Sequence, residues 1–237
     1  MPLPAASPKS HVEPMSIKRQ MIAEHMVLSK RLAPHVTSVH RVDMTRVVTL
    51  REREKKAFQD RHGFALTYMS FNAYATARAL RAFRLLNASV EETKVIYHDE
   101  INLGIAVALD SGLIVPVVRN ADEKSVVGLQ HAITDLATRA RSKQLKPAEV
   151  RDNTFSITNY GVFGTVLATP IINQPNVGIL GVGAIEKTPV VIDDGIAIRS
   201  LCYLSITYDH RLIDGSLADQ FCQHIKSALE GWSEGVL

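Results

Sequence analysis

His210 stands in the run Tyr208-Asp209-His210-Arg211-Leu212-Ile213-Asp214-Gly215. Histidine has the side chain whose ordinary pKa lies nearest neutrality, so it can take and return a proton at physiological pH. An apolar run, Leu201 to Tyr208, ends just before it, and a helical pattern, Ser216 to Leu229, starts just after. Catalytic groups commonly sit where a strand gives way to a loop. Asp209 and Asp214 flank the histidine, and either could orient the ring or pair with Arg211. A second segment, Phe155-Ser156-Ile157-Thr158-Asn159-Tyr160-Gly161, is a strand breaking into a glycine-containing loop. It places hydroxyl and amide donors where a strand ends, and such donors can stabilise an oxyanion, although Thr158 taken alone fits a plain strand threonine. A third segment, Thr169 to Pro175, is an apolar loop stiffened by prolines. Arg51 and Lys55 lie four apart, share a helix face and could clamp a phosphate. Glu52 and Glu54 stand beside them, so a plain solvated charged face fits the same residues.

Other chemistries find no footing. There is no GxSxG elbow, no Walker A loop and no HExxH zinc site. Gly181-Val182-Gly183 lacks a third glycine at the dinucleotide spacing. Cys202 and Cys222 form no CxxC pair, which argues against a structural metal or a disulfide framework and fits a reducing compartment. The chain has 237 residues, 46% hydrophobic and 22% charged, an ordinary globular composition. Its apolar stretches are too short for a bilayer span, and no leader pattern opens it, so neither a membrane nor export is expected. Net charge is +3 but uneven: residues 1–62 hold twelve Lys/Arg against six Asp/Glu. A basic quarter can meet an anionic ligand. Nucleic acid is disfavoured, because the basic residues are not interleaved with aromatics and no binding motif is present.

The elements that must position these residues follow from spacing. Residues 1–14, rich in Pro, Ala and Ser, read as a disordered linker, and residues 15–237 as one domain. Ser16 caps a first helix that runs to a break at Pro34. Val36 to Val42 is extended. Thr45 to about Arg61 is a charged helix with Val48 and Leu50 inward, ended by Gly63. Ser70 to Phe83 is an Ala-rich helix, and Val95 to Tyr97 a strand. Ile101–Leu109 and Leu113–Val118 pair as an apolar hairpin around Asp110-Ser111-Gly112, suited to a doubly covered sheet or a channel wall. Ser125 caps a helix to about Arg141 with Val126, Leu129, Ile133, Leu136 and Ala140 on one face. Thr154–Thr158, Gly178–Val182, Pro189–Ile192 and Ile196–Tyr208 are strands, the last two joined at Asp193-Asp194-Gly195. Without a regular βαβ rhythm, the order implies an α+β fold, a mixed sheet flanked by helices.

Taken together, these segments resemble the catalytic core of the dihydrolipoamide acyltransferases of 2-oxo-acid dehydrogenase complexes, from about Pro14 to Leu229. The most specific match is Asp-His-Arg-x-x-Asp-Gly, met by Asp209, His210, Arg211, Asp214 and Gly215. Met15-Ser16 with Ile22-Ala23-Glu24, Pro34-His35-Val36-Thr37, Val42-Asp43-Met44-Thr45, Gly112 to Val117, Phe155 to Asn159 and Thr169 to Asn173 follow in family order. The resemblance implies a chloramphenicol acetyltransferase-like two-layer sandwich, assembled as a homotrimer and in some members a larger cage. Coenzyme A and the dihydrolipoyl arm of a lipoyl domain would meet in a channel between subunits. His210 would be the general base, Thr158 from a neighbouring subunit the oxyanion donor, and Asp214 an orienting or ion-pairing residue. Arg51 and Lys55 would lie near the coenzyme A phosphates, and Val162, Phe163, Ala168 and Thr169 near the acyl group. The partners implied are the 2-oxo-acid dehydrogenase and dihydrolipoamide dehydrogenase components, in the bacterial cytoplasm or a mitochondrial matrix. The family's lipoyl and peripheral-subunit-binding domains have no counterpart here, so a truncated core and a stand-alone homologue are both consistent. The weakly apolar tail, Gly231 to Leu237, does not favour a large cage. The alternatives are a coenzyme A acyltransferase acting on a small alcohol or amine, and a non-catalytic scaffold. The phenylalanine–proline pair usual in the family before Leu86-Asn87 is replaced by Phe83-Arg84-Leu85, which touches helix termination rather than chemistry.

Overall fold

The computed structural model describes residues 10–110 and 112–233; residues 1–9 of the expected linker and the last four of the tail lie outside the described residues. In chain order the elements are α1 (Ile17–Leu32), β1 (His35–Asp43), α2 (Thr45–His62), α3 (Tyr68–Ala82), β2 (Ala88–Glu91) and β3 (Lys94–Tyr97). Then come β4 (Leu103–Ile105), β5 (Val107–Leu109), β6 (Gly112–Ile114), β7 (Val117–Val118), α4 (Val126–Arg141) and β8 (Phe155–Asn159). The chain closes with β9 (Gly178–Val182), β10 (Glu186–Ile192), β11 (Gly195–Asp209) and α5 (Gly215–Glu230).

The main sheet runs β1-β11-β9-β8-β4-β7, with β10 added along β11. β8 lies parallel to β4 and β9, and the other pairings are antiparallel. Alternation of side chains along a strand sorts the sheet into two faces. Phe155, Ile157, Leu180, Leu204, Ile206 and Tyr208 are buried in the core together with α2, α3, α4 and α5. The intervening positions Ser156, Ser205 and Thr207 are buried polar side chains. The result is a mixed sheet with its helical layer on the apolar face, the α+β sandwich expected. In α5, Ala218, Phe221, Cys222, Ile225 and Leu229 recur at helical spacing and are all buried, with the Phe221 ring edge-on to Phe155 at 5.7 Å.

The apolar hairpin is split. β4 pairs with β7 in the main sheet, while β5 and β6 form a separate ribbon. Pro116 has no N–H to continue the ladder, and the Ala106 N–H turns to the Ile157 carbonyl instead. The β2–β3 hairpin was hidden in sequence because its turn uses Glu92 at φ 52° rather than a glycine. On α2 the buried valine is Val47, with Val48 only partly covered. Pro189 lies inside β10, which runs three residues further back than the pattern shows; an edge strand tolerates the missing donor. Both cysteines are buried, and burial pushes their thiols up to about 12.

Candidate active site

The histidine turn is built by three short-range constraints. The His210 N–H donates to the Pro34 carbonyl at 3.0 Å, tying it to the α1–β1 junction. Asp209, 1% exposed, accepts from the Arg211 backbone N–H and grips its guanidinium with both oxygens, 2.6–3.1 Å. Asp209, not Asp214, is therefore the partner of Arg211. Asp214 ends the turn as the N-cap of α5, its carboxylate accepting from Leu217 N–H at 2.8 Å. Its observed contact is a helix cap rather than the ion pair the sequence allowed. The His210 ring is exposed, stands 5.9 Å from the Tyr208 ring and makes no hydrogen bond to another described residue. Nothing within the described chain competes for either of its nitrogens.

The same junction holds the proline-stiffened loop. His35 donates from Nδ1 to the Ala33 carbonyl at 2.8 Å and accepts the Ile172 N–H at Nε2, 3.1 Å. Those two contacts require the neutral tautomer with the proton on Nδ1. Ser29 adds a hydrogen bond to the Ile172 carbonyl at 2.7 Å. A further polar cleft of about 910 Å³, lined by Asn153, His98, Arg119 and the end of the third segment, Asn173 to Pro175, among others, holds none of His210, Thr158, Asp214, Arg51 and Lys55.

Thr158 lies at the other end of the sheet and lines a cavity of about 640 Å³. The walls are the β5–β6 ribbon (Val107, Ala108, Leu113), one face of α4 and the loop residues Val162 and Phe163. The apolar ribbon is thus a cavity wall, as its composition implied. Tyr160 follows on the same wall. Its hydroxyl pairs with Ser205 at 2.8 Å, and burial pushes its phenol up. Ala168 and Thr169 do not line the cavity; the Ala184 N–H bonds the Thr165 carbonyl, and the Ala168 backbone lies behind the cavity residue Tyr160.

Arg51 and Lys55 share a face as expected, but both bind Glu52. The Lys55 hydrogen bond, with Arg51 adding to it, holds the Glu52 carboxyl below its usual range. Arg51 also donates to the Leu66 carbonyl and lies 4.8 Å over the ring of Tyr68, a cavity residue. Arg51 therefore stands behind the cavity wall, and neither cation lines the cavity. The charge that does, among the described residues, is Arg141, which the apolar stripe of α4 masks in the sequence. The signal was the neighbouring stripe Gln130, Thr134, Thr138, Arg141 at helical spacing.

Thr158 pairs with Gly181, and Gly181 with Ser205, five residues before His210. Two strand spacings and five residues of rise put the backbones of Thr158 and His210 about 19 Å apart. Within one chain they cannot act on the same atom.

Solved structures define the class first. The fold matches a probable dihydrolipoamide acetyltransferase from Listeria monocytogenes 4b F2365 with TM-score 0.94 and 40% identity, covering 98% of this chain and 99% of that one. Azotobacter vinelandii dihydrolipoamide acetyltransferase gives 0.92 and 31%, covering 97% and 96%; a serine, a histidine and an asparagine have been investigated there for their role in catalysis. A cubic core of a pyruvate dehydrogenase multienzyme complex gives 0.91 and 31%, covering 97% and 96%. Chloramphenicol acetyltransferase, at 0.53 and 14% identity over 91% of this chain and 98% of its own, shares the fold alone. Residues 7–237 match the family 2-oxoacid dehydrogenases acyltransferase (catalytic domain), and the chain belongs to it. Among curated relatives, a succinyltransferase component of a 2-oxoglutarate dehydrogenase complex from Bartonella vinsonii subsp. berkhoffii is 41% identical over 91% of this chain. An acetyltransferase component of a pyruvate dehydrogenase complex from Mycobacterium bovis is 46% identical over 90%. The chain spans 53% and 40% of those two proteins.

Proposed function

We propose that this domain transfers an acyl group between dihydrolipoamide, carried on a lipoyl domain, and coenzyme A, as the oligomeric core of a 2-oxo-acid dehydrogenase complex. One observation carries the reading. Thr158, His210 and Asp214 stand at the same sequence intervals as the serine, histidine and asparagine investigated in the Azotobacter vinelandii enzyme. His210, with both ring nitrogens unengaged, takes the proton of the coenzyme A thiol; the thiolate is the effective nucleophile. It attacks the thioester carbonyl of acyl-dihydrolipoamide, and the Thr158 hydroxyl donates to the oxyanion of the tetrahedral intermediate. Collapse breaks the bond to the dihydrolipoyl sulfur, which recovers the proton from His210. Asp214 fixes the turn as a helix cap, a task asparagine performs equally well.

The site needs more than one copy of the chain. The separation of Thr158 from His210 supports a site shared between subunits, as in a homotrimer. Apolar surface supports the same reading: Val191, Ile196 and Ile198 on the β10–β11 hairpin and Ile17, Met21 and Leu28 on α1 are exposed in the single chain. The apolar surroundings of Thr158, with Val162, Phe163 and Leu113, favour a small uncharged acyl group such as acetyl. Coenzyme A acylation by acetyl-, succinyl- and branched acyl-dihydrolipoamide tests both levels. Turnover with none of them overturns the activity, and a preference for succinyl overturns the acyl assignment.

A further inference from the structure

Of the described residues that line the Thr158 cavity, Arg141 alone carries a charge. The rest are apolar, hydroxyl, phenol, thioether or amide groups, with no carboxylate among them. Gln130, Thr134, Thr138 and Arg141 lie along one face of α4, so this wall extends about 16 Å along the helix. Arg139, two residues away, is gripped by Asp135 and Glu149. Arg51 and Lys55 share Glu52. Arg141 has no ion pair or hydrogen-bond partner among the described residues and is exposed, which places its guanidinium at the solvent mouth. An apolar trough with a few hydroxyls and one unpaired cation at its mouth complements an amide-containing chain that ends in an anion.

On the acyl-transfer reading above, we infer that Arg141 is a binding residue for the phosphate groups of coenzyme A, the pantetheine arm lying along α4 toward Thr158. A guanidinium forks onto phosphate oxygens, and at an exposed mouth the phosphate keeps part of its hydration. The carboxylate of a dicarboxylic acyl group offers the same anionic chemistry. It would sit close to the reacting carbonyl, whereas a phosphate end sits an arm's length away.

The test uses the assembled protein and Arg141→Gln, with coenzyme A, dephospho-coenzyme A and pantetheine as thiols, and acetyl- and succinyl-dihydrolipoamide as donors. The expected result is a KM for coenzyme A raised about tenfold, with kcat held and the KM for pantetheine unmoved. Arg141→Lys should recover part of the loss. Equal KM values for coenzyme A in variant and wild type overturn the assignment. So does a selective loss of succinyl transfer with coenzyme A unaffected, which gives Arg141 to the acyl carboxylate. If the wild type turns over no donor, the acyl-transfer reading has failed separately. Calorimetric binding of coenzyme A to wild type and Arg141→Gln then decides the inference, a difference supporting it and equal affinities overturning it.

Discussion

At the scale of single residues the two ends of the sheet make separate demands. His210→Ala removes the imidazole of the turn and leaves the backbone bond to Pro34 in place. Turnover should fall at least about a thousandfold, with the particle size by light scattering unchanged. Thr158→Val keeps shape and removes the hydroxyl; kcat should drop about a hundredfold, the value of one oxyanion donor, with little change in KM. Asp214 separates a structural from a chemical role. Asp214→Asn retains the cap of α5 and should keep stability, whereas Asp214→Ala should lose about 1 kcal/mol in denaturant unfolding. Equal stability of the two variants would remove the cap as the role of Asp214. His210 was legible from type and position, whereas Thr158 and Asp214 took their roles from the family resemblance. The histidine turn is local, so one stretch of sequence holds both the base and the residues that shape its backbone. Arg141 was not legible, because its importance comes from a cavity whose other walls lie far away in the chain.

At the scale of elements, period-2 and period-3.6 patterns mark the strands and helices, and the structure departs from them where one residue overrides the pattern. Pro116 divides a hairpin that hydropathy alone draws as continuous, and Glu92 makes a turn that contains no glycine. Another such position is Gly161, which opens the loop carrying Val162 and Phe163. A Cβ there would run into the backbone of Gly183 and Ala184. Gly161→Ala should therefore cost about 2 kcal/mol or more and lower activity, because backbone cannot step aside as a side chain can. Thermal unfolding and turnover check both. The end of α4 is seated by Arg139, which binds Glu149 through paired 2.7 Å bonds. These bonds, helped by the Lys146 N–H, hold the Glu149 carboxyl down to about 2. A glutamate in the unfolded chain titrates near 4.3. The stabilisation is therefore complete above that value and is lost as pH falls toward 2. Glu149→Gln should lower Tm at neutral pH, and its gap from the wild type should close as the solution is acidified from pH 5 to 2. A gap that is constant with pH would exclude the ion pair as its source.

At the scale of the whole molecule, the register of β8, β9 and β11 says more about assembly than any surface feature. The fold holds Thr158 and His210 rigidly at opposite ends of the sheet, and closure of one chain on itself cannot bring them together. If acyl transfer needs both, each site takes its histidine from one subunit and its threonine from another. His210→Ala and Thr158→Val then damage different halves of every site. Each variant alone should be nearly inactive. Subunits mixed in equal amounts by co-expression, or by unfolding and refolding together, should regain activity. In a closed ring of subunits, an intact site needs a Thr158→Val chain to give the histidine and a His210→Ala chain to give the threonine. Random assembly yields that pairing at about a quarter of the sites, so the mixture should recover about a quarter of wild-type turnover. Mixing the two preformed oligomers without subunit exchange should recover none. If the hybrid shows no more activity than the sum of its parents, both groups act within a single chain. The distance fixed by the sheet would then have to be bridged by a rearrangement of the fold itself.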